Sequence, residues 1–204
     1  MITLIIIVIT LITSLVAFQN VSLFHKLLFN PYQMYHRKEW YRMFTHAFIH
    51  SDWMHLFMNM LVLYSFGGIL ENRFEYLFES KATLNYIFLY MGGIVLASFP
   101  GYEKHKEHPH YSSVGASGAV AAVVFSGILI DPAQGIYFIF IPFPIPGIIF
   151  GIGYLVYSAY MNKKGVDNIA HDAHFWGAVF GFIFTIILKP TLFISFIEQV
   201  RNIF

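Results

Sequence analysis

Gly115-Ala116-Ser117-Gly118-Ala119-Val120-Ala121-Ala122-Val123-Val124-Phe125 sets one hydroxyl among small residues at the start of a charge-free apolar run. A second stretch answers it: Ala173-His174-Phe175-Trp176-Gly177 opens the last long apolar segment. A serine and a histidine at the starts of two membrane helices are the side chains of a nucleophile and its base. Small residues in a membrane helix also have a plainer reading, as a packing surface.

Composition identifies the solvent. Hydrophobic residues make up 57% of the 204 residues and charged residues 11%, where a soluble domain carries roughly 25% charged residues. Mean hydropathy is +0.63. These values predict an all-α polytopic membrane protein of one domain, residues 1–204, in direct contact with the lipid bilayer. A net charge of +1 gives no reason to expect nucleic acid. With no cysteine, disulfides, thiolate metal sites and a cysteine nucleophile are excluded.

A bilayer core needs about 20 mostly apolar residues per helix. Charge-poor runs place six helices at about 2–18, 53–70, 82–99, 114–129, 146–161 and 173–188. The first lacks a basic leader and a cleavage site, so it reads as a retained helix. Between Asp131 and Lys163 there are no charges, which is too long for one span. Pro142, Pro144 and Pro146 interrupt it, predicting a helix start near Pro146 and a loop or re-entrant piece over 134–141. Residues 19–52 form a long first loop, read as a partly helical layer on the membrane surface. Shorter polar linkers lie at 101–113 and 162–172. Leu192, Phe193, Phe196 and Ile197 suggest an interfacial tail.

Polar groups inside the spans fall in a pattern. His55 and Asn59 lie at the start of the second helix, Ser117 at the start of the fourth and His174 at the start of the sixth. Six crossings put these three starts at one membrane face, so the four side chains can meet. His55 and Asn59, spaced i and i+4, project from one helix face. Either can donate to an oxyanion, and the Ser117 backbone N–H at a helix N-terminus adds a third donor. Gly115 and Gly118 leave room beside the serine, while Gly177 and Gly181 form a small-residue face that lets two helices approach. Taken singly, His55 reads as an interfacial polar residue, Asn59 as an interhelical hydrogen bond and Gly177/Gly181 as ordinary packing.

The ordered set His55-Leu56-Phe57-Met58-Asn59, Gly115-Ala116-Ser117-Gly118 and Ala173-His174-Phe175-Trp176-Gly177 resembles the rhomboid family of intramembrane serine proteases. Trp40-Tyr41-Arg42-Met43-Phe44-Thr45-His46, leading to His50 and Trp53-Met54-His55-Leu56, is similar to that family's first loop and second helix. Gly67-Gly68-Ile69-Leu70-Glu71 resembles the segment closing that helix. The resemblance implies a six-helix core, a Ser–His dyad without an acid or cofactor, and a water-filled cavity open to one side. It implies membrane-anchored protein substrates cut in or beside a transmembrane segment. By motif, Ser117 would be the nucleophile, His174 the base, and His55 and Asn59 part of the oxyanion hole with the Ser117 N–H; Arg42 would have a packed supporting role. One departure stands out: the family often carries an aromatic residue four positions after the serine, packed on the histidine, and here that position is Ala121.

The resemblance further implies an active site facing away from the cytoplasm, and a bacterial inner membrane is the expected location. Loop charges point the other way, with Lys26, Arg37, Lys38, Arg42, Lys104, Lys106, Lys163 and Lys164 on the outer side against Arg73, Lys81, Lys189 and Arg201 inside. Two further readings belong to other classes. One is a rhomboid-like protein that binds membrane clients without cutting them. The other is a metal-dependent membrane oxidase, with His46/His50 and His171/His174 as histidine boxes. No HxxHH or HExxH run occurs, and Pro109 breaks the cluster His105, His108 and His110. His171, one turn before His174, reads as an interfacial histidine or as a group that tunes the dyad.

Overall fold

The computed structural model of the chain describes residues 2–138, 141–164 and 170–203. Helices dominate, and one lies at each of the six expected positions: α1 (Ile2–Gln19), α5 (Trp53–Phe78), α6 (Ala82–His105), α7 (Ser117–Ile130), α8 (Gly147–Lys164) and α9 (His171–Leu188). Among the described residues, three segments are long and apolar enough to cross a membrane: Ile2–Gln19, Trp53–His105 and His171–Leu188. The second contains both α5 and α6, joined by a 3-10 turn at Glu79–Lys81. Ser117–Ile130 is apolar but shorter, at 14 residues.

Several boundaries differ from those predicted. α5 and α6 run on to Phe78 and His105, past the expected ends at 70 and 99. Charges mark where lipid ends, not where hydrogen bonding ends, so Glu71, Arg73 and Glu75 simply continue α5. α6 passes through Pro100, which removes one backbone donor close to the helix end. α7 starts at Ser117 and not at 114, because Gly115 adopts φ +116° and breaks the helix. The expected loop over 134–141 contains a strand, β1 (Gly135–Phe138), paired antiparallel with β2 (Ile141–Pro146). The fold is mostly helical and not wholly so, and α8 starts at Gly147, next to the expected start near Pro146, which itself ends β2. The three prolines alternate along β2, so the donors they lack fall on one edge, where a hairpin has no partner. Residues 139–140 of that predicted loop and 165–169 of the 162–172 linker lie outside the described residues.

The first loop is built from short helices α2 (Val21–Leu27), α3 (Pro31–Arg37) and α4 (Arg42–Thr45). Asn20 and Asn30 cap the first two, accepting from the N–H groups of Leu23 at 3.0 Å and Gln33 at 2.9 Å. Arg42 holds the layer together. It is buried, donating to the carbonyls of His25 at 2.8 Å and Leu28 at 3.0 Å and pairing with Glu39 at 2.7 Å.

α7 is the central helix. Eleven of its fourteen residues are buried, packed by α5, α6, α8 and α9. α1 lies against α5, where Glu71 accepts from the N–H groups of Ile2 and Thr3 at the open start of α1. The tail is a helix, α10 (Thr191–Ile203), whose Leu192 and Phe196 pack on Leu129 at the far end of α7. Its Phe193, Ile194 and Ile197 remain exposed.

Candidate active site

Ser117 is the first residue of α7, and His174 sits in the first turn of α9. Their side chains meet, with His174 Nε2 and Ser117 Oγ 2.8 Å apart. On a neutral imidazole protonated at Nδ1, the serine hydroxyl donates to Nε2. That is the arrangement needed to pass a proton from nucleophile to base.

Glycine makes this contact possible. A Cβ on Gly177 would stand 2.1 Å from the Gly118 carbonyl oxygen, and one on Gly181 would stand 2.1 Å from that of Ala122. Any side chain at either position must push α7 and α9 apart. One turn on, Thr185 donates to the Gly181 carbonyl at 2.8 Å and shares a 2.7 Å hydrogen bond with Ser126. Gly118 faces α6, where an added Cβ would come within 2.6 Å of the Ala97 Cβ. The serine is thus seated among three closely approaching backbones.

The segment before Ser117 is fixed from the first loop. Phe29 and Ser113 exchange backbone hydrogen bonds of 2.9 and 3.1 Å, and the Gly115 N–H donates to the His46 carbonyl at 2.9 Å. Gly115 needs its positive φ and its missing side chain, since a Cβ would stand 2.6 Å from His55 Cε1. The Ala116 N–H reaches His50 Nε2 in a long, 3.5 Å hydrogen bond. An accepting Nε2 places the His50 proton on Nδ1, which donates to Ser14 Oγ of α1 at 3.1 Å. Ser14 in turn donates to the Phe48 carbonyl at 3.0 Å. This chain has one direction only when His50 is neutral. Burial, aided by neighbouring His55 and opposed by Asp52, pushes the His50 pKa down to about 3. His46 is likewise held down to about 4 by burial, while it bonds the Met43 carbonyl and Ser98, the latter at 3.2 Å.

Ser117, His174, His55 and Asn59 all line one open cavity of about 1050 Å³, walled in part by Leu28 and Met58. The structure therefore brings together the four residues singled out in the sequence. Asn59 is buried, and its amide donates to the His55 carbonyl at 2.9 Å, leaving a second N–H. Ser51 donates to Asp52 at 2.7 Å and meets His55 Nδ1 at 3.0 Å. While Ser51 points at Asp52, His55 donates from Nδ1, and its Nε2 becomes a donor only on the protonated ring. Asn59 and the Ser117 N–H are then the donors a neutral site offers to an oxyanion. Arg42 stays out of the cavity but anchors Leu28, one of its walls.

His171 packs beside His174, as a residue that tunes the dyad would. It is buried, edge-on to the rings of His174 at 5.7 Å and Tyr157 at 5.8 Å. Tyr154 of α8 lies nearly parallel to the His174 ring, with centroids 6.2 Å apart and planes 22° apart. Sequence reading missed Tyr154, one of 13 tyrosines with no motif around it. It also missed Ser14 and the contacts of His50; the i, i+4 spacing of His46 and His50 reads in sequence only as a histidine box for metal. Among the described residues no three His, Asp or Glu side chains converge as a metal site would require.

A family model described as the Rhomboid domain matches residues 37–191. Among curated proteins, RHOMBOID-like protein 12, mitochondrial, from Arabidopsis thaliana is 30% identical over 142 residues, 66% of this chain and 42% of that protein. The chain therefore spans less than half the length of that relative.

Proposed function

This chain belongs to the rhomboid family, and on that premise we propose that it is an intramembrane serine endopeptidase with Ser117 as nucleophile and His174 as base. The observation that carries the proposal is the 2.8 Å Ser117–His174 contact opening onto the cavity shared with His55 and Asn59. In the first step Ser117 Oγ bonds to the scissile carbonyl carbon while His174 Nε2 takes the hydroxyl proton. The carbonyl oxygen becomes an oxyanion facing the Asn59 amide and the Ser117 N–H. Collapse breaks the C–N bond, and His174 hands its proton to the leaving amine. Water then attacks the acyl ester with His174 again as base, releasing the acid and restoring Ser117. A substrate helix must unwind locally first, because its amides are shielded by their own hydrogen bonds.

We place six crossings in the membrane, formed by α1, α5, α6, α7, α8 and α9, with the cavity facing away from the cytoplasm. The chain has no native cysteine, so single-cysteine variants report orientation cleanly. An impermeant maleimide applied to intact cells should label His108→Cys and spare Tyr76→Cys; the reverse pattern inverts the topology. The activity itself is tested by co-reconstitution with single-span, membrane-anchored reporter proteins. Paired fragments cut in or beside the span, absent with Ser117→Ala, are the expected result. Reporters retained uncut by wild type and Ser117→Ala alike would favour a client-binding role without catalysis.

A further inference from the structure

The buried face of α8 is a stripe of small residues, and Phe150, Tyr154 and Leu155 are the large ones packed on the bundle beside it. Gly147, Gly151 and Ser158 are the buried residues of α8, and with Tyr154 they adopt i, i+4, i+7, i+11 spacing, a single helical face. At Gly151 the fit is close: an added Cβ would stand 3.3 Å from Ile128 and 3.4 Å from Phe125, both on α7. The glycines bring α8 near α7, where Phe150, Tyr154 and Leu155 pack against the α7–α9 cluster, and Tyr154 lies nearly parallel to the His174 ring.

Tyr154 reaches a shallow socket beneath the dyad. Ala121 lies one turn after Ser117 on α7, and Ala178 lies one turn after His174 on α9. Both are buried in the same apolar cluster, and Tyr154 packs against that cluster. Its ring centroid lies 5.6 Å from that of Phe125, 5.8 Å from that of Phe150 and 6.2 Å from that of the His174 imidazole, with the last two planes 22° apart. A large residue at 121 would share the face of α7 that carries Ser117 and would fill this socket from α7 itself. With alanine at both 121 and 178, the bulk against this cluster comes from Phe150, Tyr154 and Leu155 of α8, with Phe66 of α5 and Phe182 of α9.

We propose that Tyr154 is a positioning residue for the reaction: lying nearly parallel to His174 and packed on the cluster that contains Ala121 and Ala178, it holds the imidazole at the angle that keeps Nε2 on Ser117. The proposal rests on the reading of Ser117 and His174 as a catalytic dyad. The ring acts through its face, so the hydroxyl is dispensable. Loss of the ring lets the imidazole rotate about its side-chain bonds, and misplacement of about 1 Å lowers a rate roughly 100-fold.

The test is the inactivation rate of the full-length protein in proteoliposomes by a fluorophosphonate, measured across probe concentrations. Tyr154→Ala should lower the maximal inactivation rate roughly 10- to 100-fold, with little change in the half-saturating concentration. Tyr154→Phe should restore that rate. In the Tyr154→Ala background, Ala121→Phe should recover most of it by refilling the socket from α7. A general loss of folding does not predict recovery on adding bulk to a buried core, so the second-site rescue separates positioning from stability. A Tyr154→Ala protein labelled as fast as wild type overturns the positioning role and leaves the dyad intact. Failure of both Tyr154→Phe and Ala121→Phe to recover the rate also overturns it. A wild type with no Ser117-dependent labelling overturns the dyad reading and this proposal with it.

Discussion

α7 and α8 both border the dyad, and they are held in opposite ways. α7 buries eleven of fourteen residues and meets α9 so closely that the Gly177 and Gly181 positions have no room for a methyl group. α8 buries three of eighteen and exposes Ile149, Ile152, Val156, Tyr157 and Tyr160 on its outer side. Ser117, the proposed nucleophile, is thus carried by the more constrained helix, and the ring beside His174 by a peripheral one. Rigidity is concentrated where a fraction of an ångström decides proton transfer.

The contrast can be broken by mutation. Asn59 stands with the constrained side, buried in α5 at the cavity wall. Asn59→Ala should lower turnover roughly 100- to 1000-fold, the effect of losing one oxyanion donor. Unchanged kinetics would remove Asn59 from the oxyanion site. Gly181→Val forces α7 and α9 apart below the dyad and should lower turnover about 100-fold through misplacement of His174. It should also destabilise by about 1–3 kcal/mol, the range for overpacking, readable as a lower thermal midpoint. A fully active Gly181→Val protein would show that the close approach is dispensable.

Acid pH probes the support from the first loop. His46 and His50 are held neutral in the folded state, with pKa values near 4 and 3 against about 6.5 when unfolded. The unfolded chain therefore binds more protons below pH 6.5, and stability falls as pH drops from there towards the folded values. Each histidine contributes about 1.4 kcal/mol of loss per pH unit in that window. A His50→Gln protein should show a shallower decline in thermal midpoint between pH 6.5 and 4.5; an identical decline would contradict a neutral, buried His50. The smallest effect belongs to α8: Gly153, with nothing within 4 Å of an added Cβ, should accept alanine with slight stabilisation, about 0.5–1 kcal/mol. Destabilisation there would mean that α8 is packed more tightly than its exposure implies.

Much of this was legible in the sequence, for identifiable reasons. Polar residues in apolar spans are few, so Ser117, His174, His55 and Asn59 stood out, and counting helices put them on one side. The small residues at 177 and 181 announced a close contact before any coordinate did. Helix ends were less legible, because charge-poor runs report the lipid boundary while α5 and α6 continue beyond it. The hairpin over 135–146 was hidden by prolines, which signal a break in a helix but do not specify a strand. Tyr154 was invisible because its partner lies twenty residues away on another helix, with no local pattern linking the two. The His50 tautomer depends on Ser14 and Ala116, which only the folded chain brings together.

The most direct measurement is labelling of the purified, folded protein by a fluorophosphonate probe, comparing wild type with Ser117→Ala and His174→Ala. The account predicts a single covalent adduct on Ser117 in wild type and none in either variant, with all three proteins equally folded. Equal labelling of wild type and His174→Ala would contradict it, since Ser117 would then react without its base.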